Sequence, residues 1–238
     1  MDHGFLQILI LGFVLGMKHA IEPDHIIAVS TIASQSKSLW RSTLAGVFWG
    51  IGHTATIFIV GISFIWIKGE IPETWAMSLE FLVGVMLVVL GVSTILSYKK
   101  NKIHVHQHEH DGVVHNHFHD RHHSHVHPKD EKKISYLKSL LIGFIHGLAG
   151  SAAMIILTMS TVHNPFEGAI YILVFGIGTT LSMLTFTTLI GIPFVLSAKH
   201  VQMNQSLTIF AGAISMIFGI YYMYNLGITE GLFKLWVQ

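Results

Sequence analysis

The chain of 238 residues is too apolar for a soluble globular domain, because 51% of its residues are hydrophobic and only 11% carry a charge. Its 14 Lys and Arg residues nearly balance its 13 Asp and Glu residues, and we expect a lipid bilayer, not a nucleic acid, as its partner. With no cysteine, the chain cannot form disulfides, thiolate metal sites or thiol redox centres. Any metal that it binds must be held by nitrogen and oxygen atoms.

Six apolar stretches are each long enough, at about 20 residues, to cross a hydrocarbon core of roughly 30 Å. We therefore predict an all-α integral membrane protein with six transmembrane helices. The first stretch lacks the basic start and the cleavage site of a signal peptide, so we interpret it as a span of the mature protein. The six stretches cover residues 5–33, 43–67, 79–98, 138–160, 167–192 and 206–226.

The first stretch contains ionisable residues, which are costly inside a membrane and are therefore functional candidates. Pro23 cannot donate the helical hydrogen bond to the carbonyl of His19, so we predict that the helix breaks near Pro23 and leaves that carbonyl free. In a straight helix His19 and His25 would point about 120° apart. The break would let both histidines and Asp24 meet at one site, as broken helices do in secondary transporters.

Two further histidines, His53 in the second stretch and His146 in the fourth, lie at the same predicted depth as His25. Each is about eight to ten residues, or about 13 Å, from the cytoplasmic end of its own stretch. Together with the carboxylate of Asp24, these imidazoles would form a nitrogen and oxygen site suited to a transition-metal dication. The hydroxyl residues predicted to orient the ligands are Thr54, Ser151, Thr179 and Thr180.

These buried groups also have simpler interpretations. A single intramembrane histidine can be a structural residue that hydrogen-bonds a neighbouring helix. Lys18 and Glu22 are one helical turn apart, and we expect them to neutralise each other without binding metal. Three histidines at one depth beside a carboxylate nevertheless favour a metal site.

Residues 99–137 have a different composition, with eleven histidines from His104 to His127 among polar and charged residues. We predict a disordered, His-rich linker between a first three-helix repeat, 1–98, and a second, 138–238. Such tracts bind Ni, Co, Zn or Cu without geometric selection. The alternative is a dispensable solvated linker.

The two halves of the chain resemble each other at glycine positions. An odd number of spans in each half makes the second copy enter the membrane from the opposite face, so we predict an inverted-topology repeat. Chance alignment of glycines, which are common in membrane spans, is the alternative. The aligned residues are Gly50, Gly52 and Thr54 with Gly176, Gly178 and Thr180, and Gly84 and Gly91 with Gly212 and Gly219.

The distribution of Lys and Arg predicts the orientation in the membrane. If the N-terminus is outside, eleven of the 14 basic residues fall on one face, and only Lys68 and Lys234 fall on the other. The positive-inside rule then places both termini outside the cell membrane and the His-rich linker in the cytoplasm.

His19, Asp24 and His25 with their spacing resemble the signature of the nickel/cobalt transporter family. Gly52-His53-Thr54 is similar to that family's Gly-His-Ser/Thr element, and residues 143–151 resemble the fourth-span motif of UreH-type and HupE-type nickel permeases. The resemblance implies a secondary transporter that is not an enzyme, has no organic cofactor, and carries Ni2+ or Co2+ as its substrate. It implies a metal site at His19, Asp24 and His25, and cytoplasmic partners such as a metallochaperone or the urease or hydrogenase maturation proteins.

The direction of transport is the most open point of this interpretation. Glu22-Pro23 resembles a related group of nickel/cobalt exporters that also have a His-rich loop, whereas Asp24 resembles importers, and we favour uptake. Efflux, or a membrane-anchored metal sensor that uses the His-rich loop, are the alternatives. The sequence contains neither a phosphate-binding loop for ATP nor the His-Glu-x-x-His pair of a metalloprotease.

Overall fold

The computed structural model describes the backbone of residues 3–67, 71–100, 104–110, 113–119, 135–161 and 164–237, and side chains over 4–67, 71–97, 135–149 and 164–237. These residues form eight α-helices, two β-strands and one π-helical turn at Asn225–Thr229. The helices are α1 (His3–His19), α2 (Pro23–Ala33), α3 (Leu39–Ile67), α4 (Glu73–Lys100), α5 (Tyr136–Thr161), α6 (Pro165–Ser197), α7 (Val201–Tyr224) and α8 (Leu232–Leu235), and the strands are β1 (His104–His110) and β2 (Val113–His119).

Most of the helices are built to cross a membrane. Within the described chain, α3, α6, most of α4, and α7 with its π-helical turn are long and apolar enough, and α1 with α2 passes as one bent span. Large apolar side chains on these helices remain exposed, including Ile59 at 58%, Phe210 at 65% and Trp66 at 75%. Such a surface is stable against lipid but not against water. The protein is therefore a multi-pass membrane protein, as predicted.

The predicted break near Pro23 is present, and α1 and α2 differ in direction by 58°. Pro23 is the first residue of α2, where its missing N–H has no intrahelical acceptor to lose. A tight turn joins the two helices, in which the Glu22 N–H donates to the His19 carbonyl at 3.1 Å. The expectation of a free His19 carbonyl is therefore wrong, because the turn satisfies the group that the proline leaves unpaired.

Glycines let α3 and α5 pack backbone against backbone. A Cβ atom at Gly143 would overlap the carbonyl oxygen of Trp49, and one at Gly147 would lie 2.5 Å from that of His53. Small residues at helix crossings are a common means of close packing in membranes. This packing brings the helix of His146 close to that of His53, while α1 packs on α6 and α4 on α7.

In the His-rich segment, where we predicted disorder, the described residues form an antiparallel hairpin of β1 and β2. His104 pairs with His119 at one end, and His110 pairs with Val113 at the other. A two-stranded hairpin is at best marginally stable in water without other contacts. The rest of the described chain is helical, in agreement with the predicted all-α class. The division into two repeats and a linker stays a prediction.

Candidate metal centre

The five predicted ligand residues lie together where α1 gives way to α2. His19 is the last residue of α1, and Asp24 and His25 lie in the first turn of α2. His53 comes from α3 and His146 from α5. The residues His25, His53 and His146 are at most 1% exposed, although imidazoles are polar. The structure thus gathers four histidines and one carboxylate from four helices into one buried cluster.

Short contacts connect the members of the cluster. The Nε2 atoms of His19 and His53 are 3.1 Å apart. Asp24 joins the other two histidines, since its Oδ1 lies 3.1 Å from His25 Nδ1 and its Oδ2 lies 2.8 Å from His146 Nε2. The ring centroids of His25 and His146 are 4.2 Å apart, and those of His19 and His25 are 4.5 Å apart. The five groups therefore form one continuous chain of contacts centred on His25.

The cluster contains two sets of three residues whose ligand atoms all lie within 4.8 Å of one another. One set is His19, His25 and His53, and the other is Asp24, His25 and His146. His25 belongs to both sets and is therefore the central residue of the cluster.

The spacing of the nitrogen atoms fits a metal ion. Two nitrogen ligands about 2.1 Å from a common ion, at angles of about 90° to 109°, are about 3.0 to 3.4 Å apart. The distance of 3.1 Å between His19 Nε2 and His53 Nε2 lies in this range. Imidazole nitrogen with a nearby carboxylate suits Ni, Co and Zn better than Mg or Ca, which prefer oxygen.

Several buried nitrogen atoms of the cluster have no hydrogen-bond partner among the described residues. They include His25 Nε2, His53 Nδ1 and His146 Nδ1. An unpaired buried polar group costs about 1–3 kcal/mol, so such groups are rare unless a function requires them. A bound dication would satisfy the nitrogen atoms that carry a lone pair, which favours a metal site over purely structural histidines.

Trp49 is a member of the site that the sequence analysis missed. Its indole ring stacks on His53 with an interplanar angle of 8° and a centroid distance of 5.2 Å. It also meets His25 and His146 edge to face, at 5.0 Å in each case. Trp49 therefore forms an apolar wall beside the imidazoles and limits their rotation. Its position one helical turn before His53 is the signal that could have identified it.

Glu22 was also assigned a different role. We expected it to neutralise Lys18, but its Oε2 lies 3.0 Å from His19 Nδ1. The two side chains come from the turn between α1 and α2 and are three residues apart. Glu22 thus contacts the cluster through the one histidine of the four that is not fully buried.

The hydroxyl groups predicted to orient the ligands contact backbone atoms in the described part of the chain. The Thr54 hydroxyl donates to the Gly176 carbonyl of α6 at 3.3 Å. The Thr179 hydroxyl lies 3.1 Å from the Gly16 carbonyl of α1. A hydroxyl on a helix readily bonds a nearby carbonyl, so these groups hold α3 and α1 against α6. The residues are Thr54, Thr179 and Thr180, the last of which packs against Gly50, while the side chain of Ser151 lies outside the described residues.

Comparison with known proteins connects the chain to a family of membrane proteins. The model of the cytochrome C biogenesis protein transmembrane region matches residues 26–221. The urease accessory protein UreH of Bacillus sp. (strain TB-90) is 60% identical over 235 residues, which are 98% of this chain and 97% of that protein. A protein of Methanocaldococcus jannaschii described as a nickel/cobalt efflux system is 27% identical over 221 residues, 89% of this chain and 90% of its own length.

A shorter match extends the same pattern. The nickel transporter NixA of Staphylococcus aureus is 32% identical over 69 residues, 27% of this chain and 20% of that protein. No solved structure matches the chain. These three relatives are described as a urease accessory protein, a nickel/cobalt efflux system and a nickel transporter, not as enzymes. The chain therefore belongs to the cytochrome C biogenesis transmembrane-region family and, as the sequence motifs predicted, to the UreH-like branch of the nickel/cobalt transporter family.

Proposed function

We propose that the protein is a secondary transporter of Ni2+, Co2+ or both, and that it takes the ion up into the cytoplasm. The ion binds in the cluster of His19, Asp24, His25, His53 and His146. The observation that carries this proposal is the burial of four imidazoles and one carboxylate at a break in a membrane span. Burying these groups is costly without a function, and the names of the relatives point to nickel and cobalt as the ions concerned.

We further propose six spans arranged as two inverted three-helix repeats. α5 is 26 residues long, or about 39 Å, which is sufficient to cross a membrane. It is the span that brings the total to six. The contacts between helices are consistent with a two-fold axis, which pairs each residue with the equivalent of its own partner. Gly50 contacts Thr180, and their equivalents under the sequence alignment, Gly176 and Thr54, also contact each other.

The same reciprocity occurs between α4 and α7. Gly84 contacts Gly219, and Gly91 contacts Gly212. Because Gly84 aligns with Gly212 and Gly91 aligns with Gly219, each contact is the image of the other under an exchange of the two halves. Inverted repeats of this kind support alternating access, in which one half moves against the other around a central site.

The composition of the cluster suggests how such movement would release the ion. His19, His25 and His53 belong to the first half, whereas His146 belongs to the second. The contact of 2.8 Å between His146 Nε2 and Asp24 Oδ2 therefore joins the two halves at the site. A movement of the halves would change this contact and with it the set of ligands that the ion meets.

The orientation and partners follow from the same proposal. The Lys and Arg distribution supports a cell-membrane protein with both termini outside and the His-rich linker in the cytoplasm. An ion that leaves the cluster inward would then reach the linker histidines first. The 60% identical urease accessory protein supports urease or hydrogenase maturation proteins, or a metallochaperone, as cytoplasmic recipients.

Efflux is the second candidate, because a relative that covers 89% of the chain is described as a nickel/cobalt efflux system. The third is a sensor in which the linker binds the metal. We expect cells that express the wild type to accumulate more nickel than cells with an empty vector. A variant without residues 103–128 should retain most of this increase, because the proposed binding cluster lies in the spans.

The measurement is total cellular nickel at a fixed external concentration. A nickel content below that of the vector control would mean efflux. An increase that disappears with the linker would instead assign the metal chemistry to the linker histidines.

A further inference from the structure

Two carboxylates at the helix break each face the Nδ1 atom of a different histidine. Glu22 Oε2 lies 3.0 Å from His19 Nδ1, and Asp24 Oδ1 lies 3.1 Å from His25 Nδ1. A carboxylate can only accept a hydrogen bond, so the nitrogen atom that faces it carries the proton. The hydrogen bond of His25 and the ion-pair contact of His19 thus both favour a proton on Nδ1.

This arrangement determines which nitrogen atom remains for a ligand. A neutral imidazole with its proton on Nδ1 has its lone pair on Nε2. His19 Nε2 faces His53 Nε2 at 3.1 Å, and His25 Nε2 is buried without a partner in the described part of the chain. Because His19, His25 and His53 form one of the two sets with closely spaced ligand atoms, these Nε2 atoms can converge on one ion.

Both carboxylate oxygen atoms of Asp24 contact histidines. Its Oδ1 accepts from His25 Nδ1, and its Oδ2 lies 2.8 Å from His146 Nε2. The carboxylate therefore already has a role toward His25 and His146 that does not require it to bind the metal directly. Of His19, His25 and His53, only His53 has no carboxylate partner on Nδ1 in the described structure. Trp49 stacks on the ring of His53 and so limits its orientation by packing.

We propose that Glu22 and Asp24 are positioning residues, and that the ion is bound directly by the Nε2 atoms of His19, His25 and His53. This inference rests on the proposed function of the same cluster and assigns the roles within it. Metal-bound histidines usually donate their other N–H to a carboxylate or carbonyl, which orients the ring and raises its basicity. The substrate is accordingly a dication that accepts three imidazole ligands, with remaining positions for water or for exchanging ligands.

The test uses the purified full chain, with the eleven linker histidines changed to glutamine so that they do not bind the probe. Co2+ is the probe, because its visible absorption and X-ray absorption spectra report the number of imidazole ligands. The variants are Asp24→Asn and Glu22→Gln, which keep a hydrogen-bond acceptor but remove the charge, together with His25→Gln. Glu73→Gln, at an exposed carboxylate in the first turn of α4, is the matched control.

We expect three imidazoles and no carboxylate around Co2+ in the wild-type cluster. Asp24→Asn and Glu22→Gln should keep this spectrum at full occupancy but weaken the affinity by about 10- to 100-fold, because the negative charge that raises the basicity of the imidazole is lost. His25→Gln should lose one imidazole, and Glu73→Gln should change neither property. If a substituted residue had a merely structural role, its substitution would change the affinity for Co2+ but not the spectrum.

Three results would overturn the proposal. A carboxylate ligand that disappears in Asp24→Asn would make Asp24 a direct ligand. Unchanged affinity in Glu22→Gln would remove Glu22 from the site, and two or fewer imidazoles in the wild type would exclude the three-histidine set. Failure of the parent protein to bind Co2+ at all would contradict the proposed function itself, which is a separate outcome.

Discussion

Replacing His25 with alanine is expected to weaken nickel binding by more than about 100-fold, or about 2.8 kcal/mol. The loss should be this large because His25 belongs to both sets of closely spaced ligand atoms, so neither set is complete without it. Removing a partner of a metal ligand already costs about 10- to 100-fold, and removing a ligand should cost at least as much. Equilibrium dialysis of the purified protein, with the linker histidines changed to glutamine, measures the effect.

His200→Ala is the matched control for this substitution. His200 is an exposed histidine before α7, and its side chain makes no capping hydrogen bond. The His200→Ala protein should bind nickel with the same affinity as the parent protein. Equal affinities for the His25→Ala and His200→Ala proteins would mean that the buried cluster is not the nickel site.

Replacing Gly143 with valine is expected to lower both the stability of the protein and its affinity for nickel. A Cβ atom at this position would overlap the carbonyl of Trp49, and a backbone atom cannot turn aside as a side chain can. α3 and α5 would have to separate, at a cost of about 1–3 kcal/mol or more. Because Trp49 lies on α3 and His146 on α5, the separation would also disturb the cluster.

Thermal unfolding in detergent and nickel binding together test this prediction. Gly4→Val in α1 is the control, because a Cβ atom there would have nothing within 4 Å. Gly4→Val should unfold within a few degrees of the wild type, and Gly143→Val should unfold well below it. If the two variants behave alike, the close crossing of α3 and α5 does not limit the stability of the protein.

The central features of the site could be predicted from the sequence because they depend on distance along the chain. Pro23 removes a specific helical hydrogen bond, so the break could be placed near it without a structure. The depth of His25, His53 and His146 follows from counting residues at a fixed rise per residue. These two arguments were sufficient to expect that the residues of the cluster would meet.

The partner of each side chain could not be predicted in the same way, because it depends on how the helices are rotated about their axes. Asp24 could have faced the ion, His25 or His146, and the tertiary arrangement that places His146 Nε2 2.8 Å from Asp24 Oδ2 decides between them. The position of Trp49 one helical turn before His53 indicates that it lies near that ring, but its contacts with His25 and His146 depend on the orientation of α3. The hydroxyls of Thr54 and Thr179 bond carbonyls of neighbouring helices, whose proximity is a tertiary property.

The prediction of a free carbonyl at His19 is wrong for a local reason. Losing one helical hydrogen bond at Pro23 was correctly anticipated, but the turn before it offers the Glu22 N–H as a replacement. The same turn brings Glu22 beside His19. The metal binding that we propose at the break therefore depends on side chains and not on an exposed backbone.

The most direct test of the account is nickel influx into proteoliposomes that contain the purified protein. The initial rate is compared for the wild type, His25→Ala and His200→Ala at equal amounts of reconstituted protein. We expect saturable influx for the wild type and His200→Ala, and a rate equal to that of protein-free vesicles for His25→Ala. Influx that is the same for all three proteins, or absent from all three, would contradict the claim that this cluster carries nickel across the membrane.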